Sequence, residues 1–154
     1  RVAGKGDISR IIDLLKQIKI IHHTGRPDLF SDDESKFSSA EIETILSDEK
    51  RKIFVSVDAN DVVNGYIFCQ IKENLGNGLL KKRKTLWIED FCVDEDARGS
   101  GIGKMLFKSA EEYAIETSCD DLTLNVWGFN DGAKAFYETC GMTIQRIVME
   151  KKLK

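Results

Sequence analysis

The sequence predicts one α/β domain built on a mixed sheet. The first observation behind this is the order of elements: two helical patterns, a β-meander, then an alternating β-α-β-α-β series. The second is length. A chain of 154 residues suits one compact domain and can bury a core without disulfide or metal staples. The third is uniformity: no internal repeat, low-complexity tract or Pro/Gly-rich linker divides it, so residues 1–154 read as a single domain.

Taken in order, Asp7 is a candidate N-cap for a helix from Ile8 to Ile21, where Ile8, Ile11, Ile12, Leu15 and Ile18 recur at helical spacing. Thr24-Gly25-Arg26-Pro27-Asp28 breaks that pattern. A shorter helix is predicted from Ser39 to Asp48. Two β-like runs, Ile53 to Ala59 and Val62 to Ile71, flank Asn60-Asp61, a pair suited to a tight hairpin turn. After a loop with Gly76 and Gly78 and the basic run Lys81–Lys84, a third strand is expected from Thr85 to Asp94. A helix opens near Ile102, with Leu106, Ala110, Tyr113 and Ala114 on one face. Leu122 to Trp127 reads as a buried strand, Ala133 to Cys140 as a short helix ended by Gly141, and Met142 to Leu153 as a final strand.

Composition excludes several classes. With 23 Lys+Arg against 26 Asp+Glu, the net charge of −3 argues against nucleic acid as the main partner. No stretch approaches the roughly 18 apolar residues of a membrane span, and no signal peptide is visible, although the chain begins at Arg1. The four cysteines (Cys69, Cys92, Cys119, Cys140) contain no C-x-x-C spacing and read as reduced thiols of a cytoplasmic protein. His22 and His23 alone cannot build a tetrahedral zinc site, so no metal is expected.

The most informative segment is Arg98-Gly99-Ser100-Gly101-Ile102-Gly103-Lys104, between a strand and a helix. Glycines let backbone N–H groups approach an anion, and a helix N-terminus adds orphan donors and a favourable dipole. Two familiar phosphate loops fail here. The P-loop pattern would need Gly at Arg98 and Ser or Thr at Met105. The dinucleotide pattern starting at Gly99 would need Gly at Lys104.

The spacing that fits is R-x-x-G-x-G, met by Arg98, Gly101 and Gly103. With the preceding strand Ile88–Val93 and the downstream run Asn130-x-x-Ala133-x-x-Phe136-Tyr137-x-x-x-Gly141, the chain resembles the GNAT superfamily of N-acetyltransferases over nearly its whole length. The resemblance implies a mostly antiparallel twisted sheet with a splayed central strand pair and flanking helices. It also implies that Arg1-Val2-Ala3 is the tail of a shortened first strand. Acetyl-CoA is the implied co-substrate. The backbone of Phe91, Cys92 and Val93 would hold its acetyl-pantetheine end. Gly99, Ser100, Gly101, Ile102, Gly103 and Lys104, flanked by Arg98, would hold its pyrophosphate, with Asn130 and Ala133 along the pantetheine.

Acetyl transfer to an amine needs a polarised thioester, a deprotonated amine and a proton for the departing thiolate. The resemblance makes Tyr137 the proton donor; the alternative is an aromatic packed beside Phe136. For the base, Glu89 is the first choice and Asp90 the second. As neighbours on a regular strand they would face opposite sides unless a bulge intervenes, and both could instead be satisfied polar groups. Cys92 reads as a small strand residue rather than an acetyl carrier. His22 and His23 read as helix-end residues, favoured there as cations, with contact to substrate the alternative.

The acceptor is left open among small amines and polyamines, amino acids and peptide amines. Leu86–Val93 resembles the matching strand of diamine acetyltransferases, and Asp28, Asp32, Asp33 and Glu34 fall in the expected acceptor-lining segment. A homodimer is possible by resemblance. A non-catalytic acyl-CoA-binding domain is the alternative from another class; it would not need Tyr137 or the Glu89/Asp90 pair.

Overall fold

The computed structural model describes residues 1–32 and 35–153. Helix α1 (Ile8–Gly25) buries Ile11, Leu14 and Leu15. Asp7 precedes it, but its carboxylate turns back to the Gly4 N–H and the Arg1 guanidinium instead of capping the helix. Helix α2 (Ser39–Leu46) starts from a reciprocal Ser38–Glu41 capping box. Strands β1 (Arg51–Val57) and β2 (Val63–Asn74) form the expected hairpin. Its turn is organised by the Asp58 carboxylate, which accepts the Asn60 and Val62 N–H groups at 2.8 and 2.9 Å.

Strand β3 (Arg83–Val93) runs antiparallel to β2, and β4 (Asp121–Leu124) lies parallel to β3. The sheet order is β1-β2-β3-β4. Helices α3 (Ile102–Glu116) and α4 (Asp131–Thr139) complete the chain. The N-terminal segment lies along β1 through a Val2–Phe54 bridge.

Each face of the sheet has its own core. Tyr66, Phe68 and Cys92 pack against α1 and α2; Ile67, Cys69, Leu86 and Ile88 pack against α3. Two residues of the basic run begin β3 and join elements: Arg83 pairs with Asp121, while Lys84 donates its backbone N–H to the Asp120 carboxylate and its ammonium to the Thr117 carbonyl.

Two expectations change. The strand read from Leu122 to Trp127 stops at Leu124, because β3 and β4 separate there. The predicted strand from Met142 to Leu153 does not form: this segment carries no regular structure, and residues 143–153 are exposed. Met142 is anchored by a hydrogen bond to the Tyr137 carbonyl and by packing on the α3 core, but beyond it the chain has no strand beside it to complete a ladder.

Candidate active site

The site begins with a departure from regularity. Between β2 and β3 the register passes from Phe68 opposite Asp90 to Cys69 opposite Ile88, so Glu89 is an extra residue on β3. The bulge reverses the strand's alternation: Leu86 and Ile88 face α3, while Asp90 and Cys92 face α1 and α2. Glu89 meets Arg51 on that same α2 side, where Arg51 lies over the Phe37 ring. On a regular strand Glu89 and Asp90 would diverge; with the bulge in place, both carboxylates turn to one side.

The β3–β4 ladder pairs Thr85 with Asp121 through Ile88 with Leu124 and goes no further. Past this point the strands part over a cleft of about 380 Å³, lined among others by His22, Lys36, Glu89, Asp90, Asn130 and Tyr137. The splayed pair implied by the sequence is thus present, and it opens beside the bulge.

Asp90 is 7% exposed, and such a buried carboxylate needs partners. Its Oδ1 accepts from the Tyr66 hydroxyl at 2.8 Å and its Oδ2 from Lys36 Nζ at 2.8 Å. Burial, reinforced by the Asp90 charge, pushes the Tyr66 phenol well above its usual range, so it stays protonated and can donate to Asp90. Neither Lys36, Arg51 nor Tyr66 was readable as a site residue. Tyr66 offered only a polar-tipped aromatic within an apolar run, and the other two come from elements distant in sequence.

Tyr137 sits on α4 with its ring 5.3 Å from Phe136 and 6.3 Å from both Phe91 and Phe107. Burial first, then the Asp90 charge, raises its phenol above the ordinary tyrosine range, so it stays protonated at neutral pH. Asn130 has a structural use: its Oδ1 accepts the Ala133 N–H at 3.1 Å and caps α4, while both residues line the cleft. Cys92 points the other way, with Sγ 3.6 Å from the Leu14 carbonyl and its thiol pushed up to about 12 by burial. That placement suits a packing residue, not a nucleophile.

In the turn between β3 and α3, Gly99 (φ 78°) and Gly101 (φ 88°) adopt left-handed backbone that other residues resist, and no side chain caps α3. Arg98 Nε donates to the Val93 carbonyl at 3.2 Å, tying the turn to β3, and the Ser100 hydroxyl donates to the Ala97 carbonyl. Gly103 also has a packing use: a Cβ there would lie 3.1 Å from Phe136, so its bareness lets α3 approach α4.

His22 is not a solvated helix end. It stacks on Phe30 at 4.9 Å and meets Phe129 edge-on, while Phe30 meets Trp127 at 5.1 Å, forming an aromatic wall to the cleft. Burial lowers its pKa below 6.5, with Lys36 acting in the same direction and Asp90 opposing. His23 instead holds the Phe30 carbonyl through Nδ1 at 2.7 Å. The unfolded chain binds the His22 proton more readily than the native one, so its contribution is complete above about pH 6.5 and is lost as pH falls through the lower folded value. Urea midpoints are therefore expected to drop between pH 7.5 and 5.5, with a smaller drop in His22→Gln; identical slopes would remove His22 from that role.

The acidic segment expected near the acceptor is partly spent elsewhere. Asp28 is paired with Arg26 and Lys152, and Asp33 and Glu34 lie outside the described residues. Among the described residues no helix is long and apolar enough to cross a membrane, and no cluster of His, Cys, Asp and Glu is arranged to hold a metal.

A strand pair parting over a cleft, with a glycine turn and an uncapped helix N-terminus beside it, defines an acyltransferase architecture of the kind the sequence resembled. Residues 15–142 match the acetyltransferase (GNAT) family, and the chain belongs to it. A solved structure of a mutant of the BH1408 protein from Bacillus halodurans is 32% identical, superposing over 100% of this chain and 98% of that one with a TM-score of 0.97. The bovine (Bos taurus) thialysine N-epsilon-acetyltransferase is 33% identical over 60 residues, 39% of this chain and 35% of that protein. An uncharacterized N-acetyltransferase of Methanocaldococcus jannaschii is 32% identical over 95 residues, covering 62% of this chain and 41% of its own. These curated relatives are thus matched over roughly a third to two fifths of their length.

Proposed function

We propose that this chain transfers an acetyl group from acetyl-CoA to a primary amine, directly between two bound substrates. The observation that carries the reading is the convergence of a protonated tyrosine and two carboxylates on one opening in the sheet, with an amide-rich turn after the same strand packing its Gly103 near Phe91, which lines that opening. The residues fit the co-substrate's anionic end. The α3 N-terminus has no side-chain cap, and around Gly99 and Gly101 there is open space where a Cβ would otherwise stand. Gly99, Ser100, Gly101, Ile102, Gly103 and Lys104 would surround the pyrophosphate. When bound, acetyl-CoA supplies the activated thioester.

The rest falls to the chain. The cleft edge of Phe91, Cys92 and Val93, where β3 has lost its β4 partner, offers backbone groups to orient the acetyl arm and polarise its carbonyl oxygen. Both Asp90 oxygens already accept hydrogen bonds, which suits it to ordering the ammonium and leaves Glu89 as first choice to take the proton, through water. As the new C–N bond forms and the C–S bond breaks, Tyr137 gives its phenolic proton to the departing sulfur.

The acceptor class we favour is a small cationic amine, either a polyamine or the side-chain amine of an amino acid. The His22–Phe30–Trp127 wall suits an alkyl stem and a cation over a ring, and a relative is named as acting on thialysine. Thiol release from acetyl-CoA across diamines, polyamines, amino acids, aminoglycosides and peptides tests this, with the first groups expected to turn over. CoA raising the melting temperature while no amine reacts would favour a non-catalytic acyl-CoA sensor; no stabilisation by CoA would overturn the co-substrate assignment.

A further inference from the structure

We propose that Lys36 is an internal acceptor: with no amine substrate present, the chain transfers an acetyl group from acetyl-CoA to its own Lys36 Nζ. The inference rests on the acetyl-transfer reading above and names one amine for that site. Lys36 lies between α1 and α2, yet its ammonium stands in the cleft, 2.8 Å from Asp90 Oδ2 and also donating to the Glu89 carbonyl. Asp90 is the carboxylate suited to ordering an acceptor ammonium, so Lys36 holds the place such a group would take. Glu89, Asp90 and Tyr137 line the same opening, and among its described lining residues Lys36 is the only primary amine.

The fold anchors this lysine by its backbone and leaves its side chain open to solvent. Next to it Phe37 is buried and stacks on Phe68 at 5.2 Å, and Ser38 caps α2. The Lys36 stem passes near the Phe37 ring, with Nζ 5.5 Å from its centroid. The Lys36 side chain is 44% exposed against 4% for that of Asp90, so solvent reaches the amine while the carboxylate is enclosed. Neutralising Asp90 needs only a cation, which an arginine would supply with two parallel hydrogen bonds. A lysine adds what arginine lacks, an amine that can lose its proton and be acylated. Holding amine and thioester in one cleft raises their effective concentration, so a lysine that is unreactive in dilute solution becomes a competent acceptor.

The step balances with the groups already assigned. Glu89, through water, takes one proton from the Lys36 ammonium, and the neutral Nζ attacks the thioester carbonyl carbon. As the C–N bond forms the C–S bond breaks, and Tyr137 gives its proton to the departing sulfur. The second proton leaving the nitrogen restores the phenol. The products are Nε-acetylated Lys36, the free thiol of CoA and one proton released to solvent.

Mass spectrometry of the purified chain incubated with acetyl-CoA and no added amine tests the proposal. One acetyl group per chain is expected, mapped by its peptides to Lys36. Its rate should be about tenfold or more above that at exposed Lys81 and Lys82, which report uncatalysed reaction with the thioester. The rate per chain is expected to be independent of protein concentration, since donor and acceptor share one cleft. Lys36→Arg keeps a cation beside Asp90 and is expected to carry only the slow background at Lys81 and Lys82. Labelling of Lys36 no faster than that background would overturn the inference, as would a rate that rises with protein concentration. If Lys36 stays unmodified while an added amine is acetylated, this inference falls and the transfer reading stands. If neither is acetylated, both fall.

Discussion

Tyr137→Phe is expected to lower the turnover of acetyl-CoA with an amine by about 10²- to 10⁴-fold, the range of a lost general acid. At about 1.36 kcal/mol per tenfold, this removes roughly 3 to 5 kcal/mol of transition-state stabilisation. The ring keeps its contacts with Phe91, Phe107 and Phe136, so folding and CoA affinity should stay close to those of the parent. The pH profile provides a second readout. Burial raises the phenol's pKa, so in the parent its ionisation should limit the rate only well into the alkaline range, and that limb should vanish in the variant. Equal turnover in the two proteins would assign Tyr137 to packing alone, and the leaving sulfur would then take its proton from water.

Gly101→Val is expected to weaken CoA binding by tenfold or more and to destabilise the fold at once. At φ 88° the backbone is in the left-handed region, and placing a β-branched residue there costs about 1–3 kcal/mol. For a domain of this size that is a fall in Tm of roughly 2 to 12 °C. No atom of the protein stands within 4 Å of the position a Cβ would take, so the strain comes from the backbone and not from a clash. The affinity loss has a separate cause. The new side chain would stand over the amides at the start of α3, where the pyrophosphate is proposed to bind. Isothermal titration with CoA, alongside a thermal melt, separates the two effects. Unchanged affinity in a destabilised protein would move the pyrophosphate away from this turn.

A contrasting case is Gly103. It belongs to the same motif by spacing, yet its place in the structure is explained by the Phe136 ring packed against it. Spacing identified the turn as a unit but could not divide the work among its glycines. The same holds for Asn130, which matched a motif and proves to cap α4 as well as line the cleft. Motif residues can serve the fold and the site together, because a site at a helix end depends on how that end is capped.

The sequence by itself determined what depends on neighbours along the chain. Apolar spacing located α1, α2, α3 and the four strands β1–β4 to within a few residues, and the glycine turn with its flanking motifs pointed to the family. Only the tertiary structure decided how the site is charged. The Glu89 bulge is visible only against β2, because an extra residue has no meaning until a partner strand sets the register. That bulge turns both carboxylates to one side, where Lys36, Arg51 and Tyr66 meet them from the α1–α2 segment, β1 and β2. The fate of Met142–Leu153 was equally beyond local reading. Its alternation is that of a strand, but a strand exists only where another chain segment can complete its hydrogen bonds, and among the described residues none does.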